Sequence, residues 1–236
     1  MTEHTVKSYE AELATLDRKL NQMGGLAESL LGQAFDSLER RDPKLAEQTV
    51  GADRQIDVLQ REIEEMAILM IARRQPMADD LRLITAAFKI ANELERVGDL
   101  AKNIAKRSLA ISNEQYPRPL VSGLRHMVEL ALNQLKDVLD AYSRRDADLA
   151  LKVWNDDQKI DAMYTSVFRE LLTYMMEDPR NISFCTHLLF GAKNIERIGD
   201  HTTNIAETVH FLVRGETIAA DRPKGDKTST TLISQD

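Results

Sequence analysis

The sequence predicts an all-α protein made of two tandem, structurally similar three-helix bundles, six long antiparallel helices in all. Three observations carry that prediction. Apolar residues recur near every 3.6 positions through six long stretches, the signature of amphipathic helices. Strand signals are missing: there is no run of alternating β-branched residues and no Asn-Gly hairpin turn. The chain also repeats itself, each copy covering three of the stretches. With 43% hydrophobic residues in 236 positions, there is enough apolar material for a sizeable core.

Each element has its own punctuation. The first helix is predicted over 8–41 and ends at the doubled Arg40-Arg41. The second, 43–74, opens on Asp42-Pro43, an N-cap followed by proline at the first helical position, where its missing N–H costs nothing. Pro76 separates it from the third, 78–111, and Pro117-Arg118-Pro119 separates the two halves. The fourth, 119–145, ends at Arg144-Arg145; the fifth, 147–177, stops before Pro179; the sixth, 182–213, meets Gly215 as a C-cap. At about 1.5 Å per residue each helix is roughly 45 Å long. Helices of that length on such short connections must pack as antiparallel neighbours. The predicted domains are therefore 8–115 and 116–214. The tail 215–236, rich in Thr, Lys, Asp and Ser, is expected to be disordered.

The repeat is legible residue by residue. Arg41-Asp42-Pro43-Lys44-Leu45-Ala46 aligns with Arg145-Asp146-Ala147-Asp148-Leu149-Ala150, and Gln55-Ile56-Asp57 with Lys159-Ile160-Asp161. The third helices match best. LERVGDLAKNIAK (94–106) and IERIGDHTTNIAE (195–207) agree at seven of thirteen positions, at an offset three residues shorter. That difference places a short deletion in the preceding loop.

Four Asp/Glu-x-x-x-Asp pairs fall at equivalent positions of the second and third helices: Asp53/Asp57, Glu95/Asp99, Asp157/Asp161 and Glu196/Asp200. A spacing of four puts both carboxylates on one helix face, where they repel. Asn103 and Asn204 continue the line by one turn. Gly98 and Gly199 sit inside helices, where Gly costs about 1 kcal/mol relative to Ala, which points to close approach of a neighbouring helix or an ion. Facing helices would gather four carboxyls, and bound cations stabilise such a cluster most readily. Oxygen donors suit Mg, Ca, Mn or Fe. The bland alternative is a set of solvated helix faces; the repeat match favours the metal-binding patch.

Other chemistry finds little support. The net charge is −7 with a pI near 5.4 and no basic block, a poor match to nucleic acid or anionic membranes. One cysteine excludes an intramolecular disulfide or a CxxC zinc site. No apolar run is long enough to span a membrane, and Met1–Glu10 lacks the zones of a signal peptide, so a cytoplasmic protein is expected. There is no phosphate loop, nucleophile elbow or H-E-x-x-H. Ferritin-like di-iron sites need two Glu-x-x-His motifs; here only Glu207/His210 fits, against Lys106 and Leu109 in the other copy. Cys185 and Trp154 read as core residues. Met66, Met70, Met175 and Met176 read as core fill. His201 adjoins Asp200 and is weighed as a ligand, with a plain helical role preferred.

The tandem bundles with LERVGDLAKNIAK and IERIGDHTTNIAE resemble the PhoU family of bacterial phosphate-uptake regulators, from about residue 8 to 213. The resemblance implies a cytoplasmic, non-enzymatic homodimer that represses phosphate-starvation genes when phosphate is abundant. It also implies partners: the ATPase subunit of the phosphate ABC transporter and a sensor histidine kinase, with neither nucleic-acid binding nor membrane insertion. It further implies metal ions (Fe, Mg, Mn or Zn) on Asp53, Asp57, Glu95, Asp99, Asp157, Asp161, Glu196 and Asp200. The alternative class is a carboxylate-bridged metalloenzyme or a metal store.

Overall fold

Seven α-helices follow one another in a computed structural model that describes residues 2–114 and 119–219, and among these residues there is no strand. They are α1 (Thr2–Arg40), α2 (Pro43–Ala52), α3 (Arg54–Arg74), α4 (Asp79–Ala110), α5 (Pro119–Arg144), α6 (Ala147–Glu177) and α7 (Ile182–Arg214). Most of the predicted tail lies outside the described residues.

Corresponding turns of the two halves use the same chemistry. Asp42 accepts from the backbone N–H of Lys44 and Leu45 at 3.0 and 3.1 Å, and Asp146 accepts from those of Asp148 and Leu149 at 3.0 and 2.9 Å. Each cap follows an arginine in left-handed conformation, Arg41 (φ 53°) and Arg145 (φ 54°). The next N–H then reaches back to an orphan carbonyl of the preceding helix: Asp42 to Ser37 and Asp146 to Ala141, both at 2.9 Å. This is a Schellman closure made without glycine. Gly215 (φ 77°) ends α7 as expected, its N–H donating to the Phe211 carbonyl.

One predicted helix is divided. The stretch 43–74 bends at Asp53, where α2 ends and α3 begins, although Asp53 itself stays right-handed (φ −51°, ψ −34°). The Asp53 carbonyl accepts from Ile56 N–H at 2.9 Å and from Asp57 N–H at a longer 3.4 Å, a locally tightened turn. Gly51, two residues earlier, lowers the cost of that bend. The equivalent stretch of α6 passes Asp157 unbroken.

The first bundle is α1, α2–α3 and α4; the second is α5, α6 and α7. α4 packs along α7 and α1 along α5, so the two bundles share one continuous hydrophobic core. Fully buried Leu16, Leu20, Ile56, Ile84, Ile90 and Ile104 fill the first half, and Leu124, Leu135, Ile160, Ile195 and Ile205 fill the second. Cys185 and Trp154 are core residues as read from the sequence. Met70 is buried and Met66 and Met175 are half-buried, but Met176 is 68% exposed and fills no core. It sits in the last turn of α6, where its neighbours Tyr174 and Met175 take the core-facing positions.

Polar ties join the bundles. The Tyr142 hydroxyl donates to Asp17, and Arg145 Nη2 lies 3.3 Å from both Asp17 oxygens, linking the end of α5 to α1. Between the motif helices, Glu93 Oε2 accepts from Asn204 Nδ2 at 3.1 Å and meets His201 Nδ1 at 2.7 Å.

Candidate functional site

Each repeat gathers its own four motif carboxyls where its third helix crosses its second. In the first, the Asp53 side chain makes no helix cap and turns into the bundle, leaving the residue 3% exposed. Its Oδ2 lies 2.5 Å from Lys102 Nζ, and the same ammonium stands 2.6 Å from Asp99 Oδ1. Asp57 and Glu95 flank this bridge, half-buried, with Arg96 Nε 3.4 Å from Glu95 Oε2. Burial pushes the Asp53 carboxyl above its usual range, against the pull of Lys102 and with repulsion from Asp57 and Asp99 adding to it. Burial likewise raises Glu95, with Asp99, Asp57 and Asp53 adding to it, so all four acids feel one another. Burial works against the Lys102 charge, but its two carboxylates outweigh it and hold the ammonium above the ordinary lysine value.

The second repeat sets Asp157, Asp161 and Glu196 in buried positions and Asp200 half-buried. Lys193 Nζ meets Glu196 Oε1 at 2.9 Å and lies 4.9 Å from the centre of the Tyr164 ring. Glu196 Oε2 is buried without a hydrogen-bond partner, as is Oε1 of Gln134, which reaches in from α5. Burial raises the Glu196 carboxyl; Lys193 opposes this, while Asp200 and Asp161 reinforce it.

The helix-interior glycines answer to a neighbouring helix. A Cβ on Gly98 would stand 2.8 Å from Ile56 Cδ1 and 3.1 Å from Asp53 Oδ1. One on Gly199 would stand 3.0 Å from Ile160 Cδ1 and 3.3 Å from Asp157 Oδ1. The missing side chains let each motif helix approach the acid-bearing helix opposite.

Sequence reasoning places two carboxylate pairs on the second and third helices of each repeat, and the structure sets each pair there. Several participants escaped it, Lys193 among them. Lys102 was invisible because its repeat mate is Thr203, and Gln134 because its mate is Leu30. Glu93 lies one residue before the motif and holds His201 and Asn204, which therefore face the inter-bundle seam; Asn103 is exposed. Burial opposes the Glu93 charge, yet these two hydrogen bonds hold its carboxyl below the usual range. The Glu207/His210 pair is engaged elsewhere: Glu207 accepts from Trp154 Nε1 at 2.9 Å, and His210 Nδ1 lies 3.2 Å from the Glu216 carbonyl.

A family model described as the PhoU domain matches the chain twice, over residues 20–108 and 124–209. The chain belongs to the PhoU family. A PhoU homologue of Rhizobium meliloti, named as a phosphate-specific transport system accessory protein, is 52% identical over 96% of both chains. A Caulobacter vibrioides homologue of the same name is 52% identical over 96% of this chain and 98% of its own. Among solved structures, PhoU from Pseudomonas aeruginosa superposes with a TM-score of 0.85 at 41% identity, covering 88% of this chain and all of that one. The phosphate transport system regulatory protein PhoU from Streptococcus pneumoniae gives 0.83 at 28%, covering 90% and all of its own chain.

Whether these PhoU clusters suit a metal is a question of donors and placement. The donors are hard oxygens in buried or half-buried positions, and the orphaned oxygens of Asp53, Glu196 and Gln134 lack the partner a cation would supply. Placement is less complete: among the described residues, no three His, Cys, Asp or Glu side chains converge as ion ligands. A cation would draw the carboxylates inward from where they stand, against a repulsion that it would itself remove.

Proposed function

We propose that the chain is a cytoplasmic, non-enzymatic regulator of phosphate uptake and phosphate-starvation signalling. With phosphate abundant, it binds the ATPase subunit of a phosphate ABC transporter and the sensor histidine kinase of the phosphate two-component system, and it keeps the starvation genes silent. One observation supports this above the others: the likeness to phosphate-transport accessory proteins runs the length of the chain at 52% identity. Long rigid helix faces suit an adaptor that works by contact, as a homodimer. No helix among the described residues is long and apolar enough to cross a membrane.

In the same reading, Asp53, Asp57, Glu95, Asp99, Asp157, Asp161, Glu196 and Asp200 are the residues available to hold metal. The ion would be Fe, Mg, Mn or Zn, with the all-oxygen donor set favouring the harder three. Its contribution is charge neutralisation, fixing each third helix against the second. Secreted or periplasmic phosphatase activity in a deletion strain grown on abundant phosphate tests the regulator role. High constitutive activity, returned to low by the wild-type gene, is expected; unchanged activity would remove the reading.

A further inference from the structure

α4 and α7 run antiparallel along the seam between the bundles: Glu93 of α4 meets His201 and Asn204 of α7, whereas Arg107, further along α4, meets the earlier Phe190. The repeat makes the two ends of this seam counterparts, and their polar chemistry differs. At one end the Glu93 carboxylate serves both α7 side chains that reach it, at 2.7 and 3.1 Å. At the other, Asn194 holds the matching position, in the register that aligns 94–106 with 195–207. Here the donors lack an acceptor. Asn194 Nδ2 and Arg107 Nε are both buried without a hydrogen-bond partner, and both atoms can only donate. Nδ1 of His187, one turn before Phe190, is buried and unpartnered as well. The spacing of His187, Phe190 and Asn194 sets them on one flank of α7. The Arg107 guanidinium lies over the Phe190 ring, with Cζ 4.4 Å from its centre, and Phe190 is 50% exposed, so this end of the seam opens to solvent. Burial holds Arg107 below the ordinary arginine value, and among the described residues no carboxylate offsets it. A half-buried guanidinium without a counter-ion is costly, as is a buried amide N–H without an acceptor; one anionic oxygen group relieves both. At the opposite end the chain supplies that group itself, as Glu93.

We infer that the Arg107–Asn194 end of the α4–α7 seam is a binding site for an oxyanion, carboxylate or phosphoryl, taking the role that Glu93 fills from within at the other end. Arg107 supplies the charge, Asn194 an amide donor, and His187 a third donor in its Nδ1–H tautomer. Such a site stands whether or not the carboxylate clusters hold metal.

Calorimetric titration of the full chain with inorganic phosphate and, separately, with succinate tests it, at fixed ionic strength in chloride. Saturable binding of at least one of the two is expected; phosphate alone marks a phosphoryl ligand and succinate alone a carboxylate. Arg107→Met should weaken that binding about tenfold, the loss of one charge-assisted contact. Asn194→Glu returns the acid found at the other end, so it should abolish binding and raise the melting temperature. The bound anion should also slow modification of Arg107 by phenylglyoxal, with the labelled residue located by peptide mass. No binding of either anion, or binding that both substitutions leave unchanged, would overturn the site. Should Arg107→Met not fold, Asn194→Glu and the protection of Arg107 in wild type still decide.

Discussion

Asp53 is buried with one oxygen on Lys102 and the other, Oδ1, without a partner, so its charge depends on that lysine. Replacing Lys102 by Met should cost about 3 kcal/mol in urea unfolding at neutral pH, the low end for a broken buried pair because Lys102 keeps some solvent access. Adding Asp53→Asn should recover most of the loss, since a neutral amide needs no counter-ion; equal stability of wild type and Lys102→Met would sink this account. Cys185 gives a pH-dependent counterpart. It is fully buried, and burial pushes its thiol up to about 11. The unfolded thiol ionises near pH 8.5, about two and a half units lower, so across that window the unfolded chain has released a proton that the folded chain keeps. Stability should therefore fall as pH rises from about 8.5 toward 11, and this slope should be shallower in Cys185→Ala. Alkylation of the native chain at neutral pH should be slow; rapid modification would contradict the burial.

Helix glycines make the same substitution carry opposite signs. Gly25 is exposed inside α1, and nothing lies within 4 Å of the place a Cβ would take. Gly25→Ala should raise stability by about 0.5–1 kcal/mol through helix propensity and a less free unfolded chain. Gly98→Ala gains the same propensity but drives a methyl against Ile56 and Asp53, for a net loss of about 1 kcal/mol or more. Ile56→Val, which deletes the atom at 2.8 Å, should restore part of it; a stabilised Gly98→Ala would refute the close crossing. The helices themselves were legible in the sequence because periodicity, Asp caps and Pro stops agreed at nearly every boundary. The bend at Asp53 was not, since the apolar spacing runs through it undisturbed and only the shortened hydrogen bond to Ile56 reveals it. The eight acids were legible through their repetition. Lys102, Gln134 and Glu93 were hidden for the converse reason: each differs from its repeat mate, and a reading that searches for what is repeated passes over what is not.

Two matched repeats invite the view of two independent domains, but their packing says otherwise. α4 lies against α7, and one hydrophobic core includes residues of both. Glu93 fastens the seam through His201 and Asn204, and Asp17 fastens α1 to Tyr142 and Arg145 beyond it. Separating the halves would expose the apolar faces of α4 and α7 together, and at about 25 cal/mol per Å² even several hundred Å² of such surface is comparable to the whole stability of a domain. The chain should accordingly unfold as one cooperative unit. Trp154 supplies the test, since it is the sole indole and reports only on the second bundle, whereas far-ultraviolet dichroism reports on every helix. Urea transitions followed by the two probes should coincide in midpoint and slope. A tryptophan transition displaced from the dichroism would mean that the bundles come apart before they melt, and the seam would then be a hinge on which a bound partner could act.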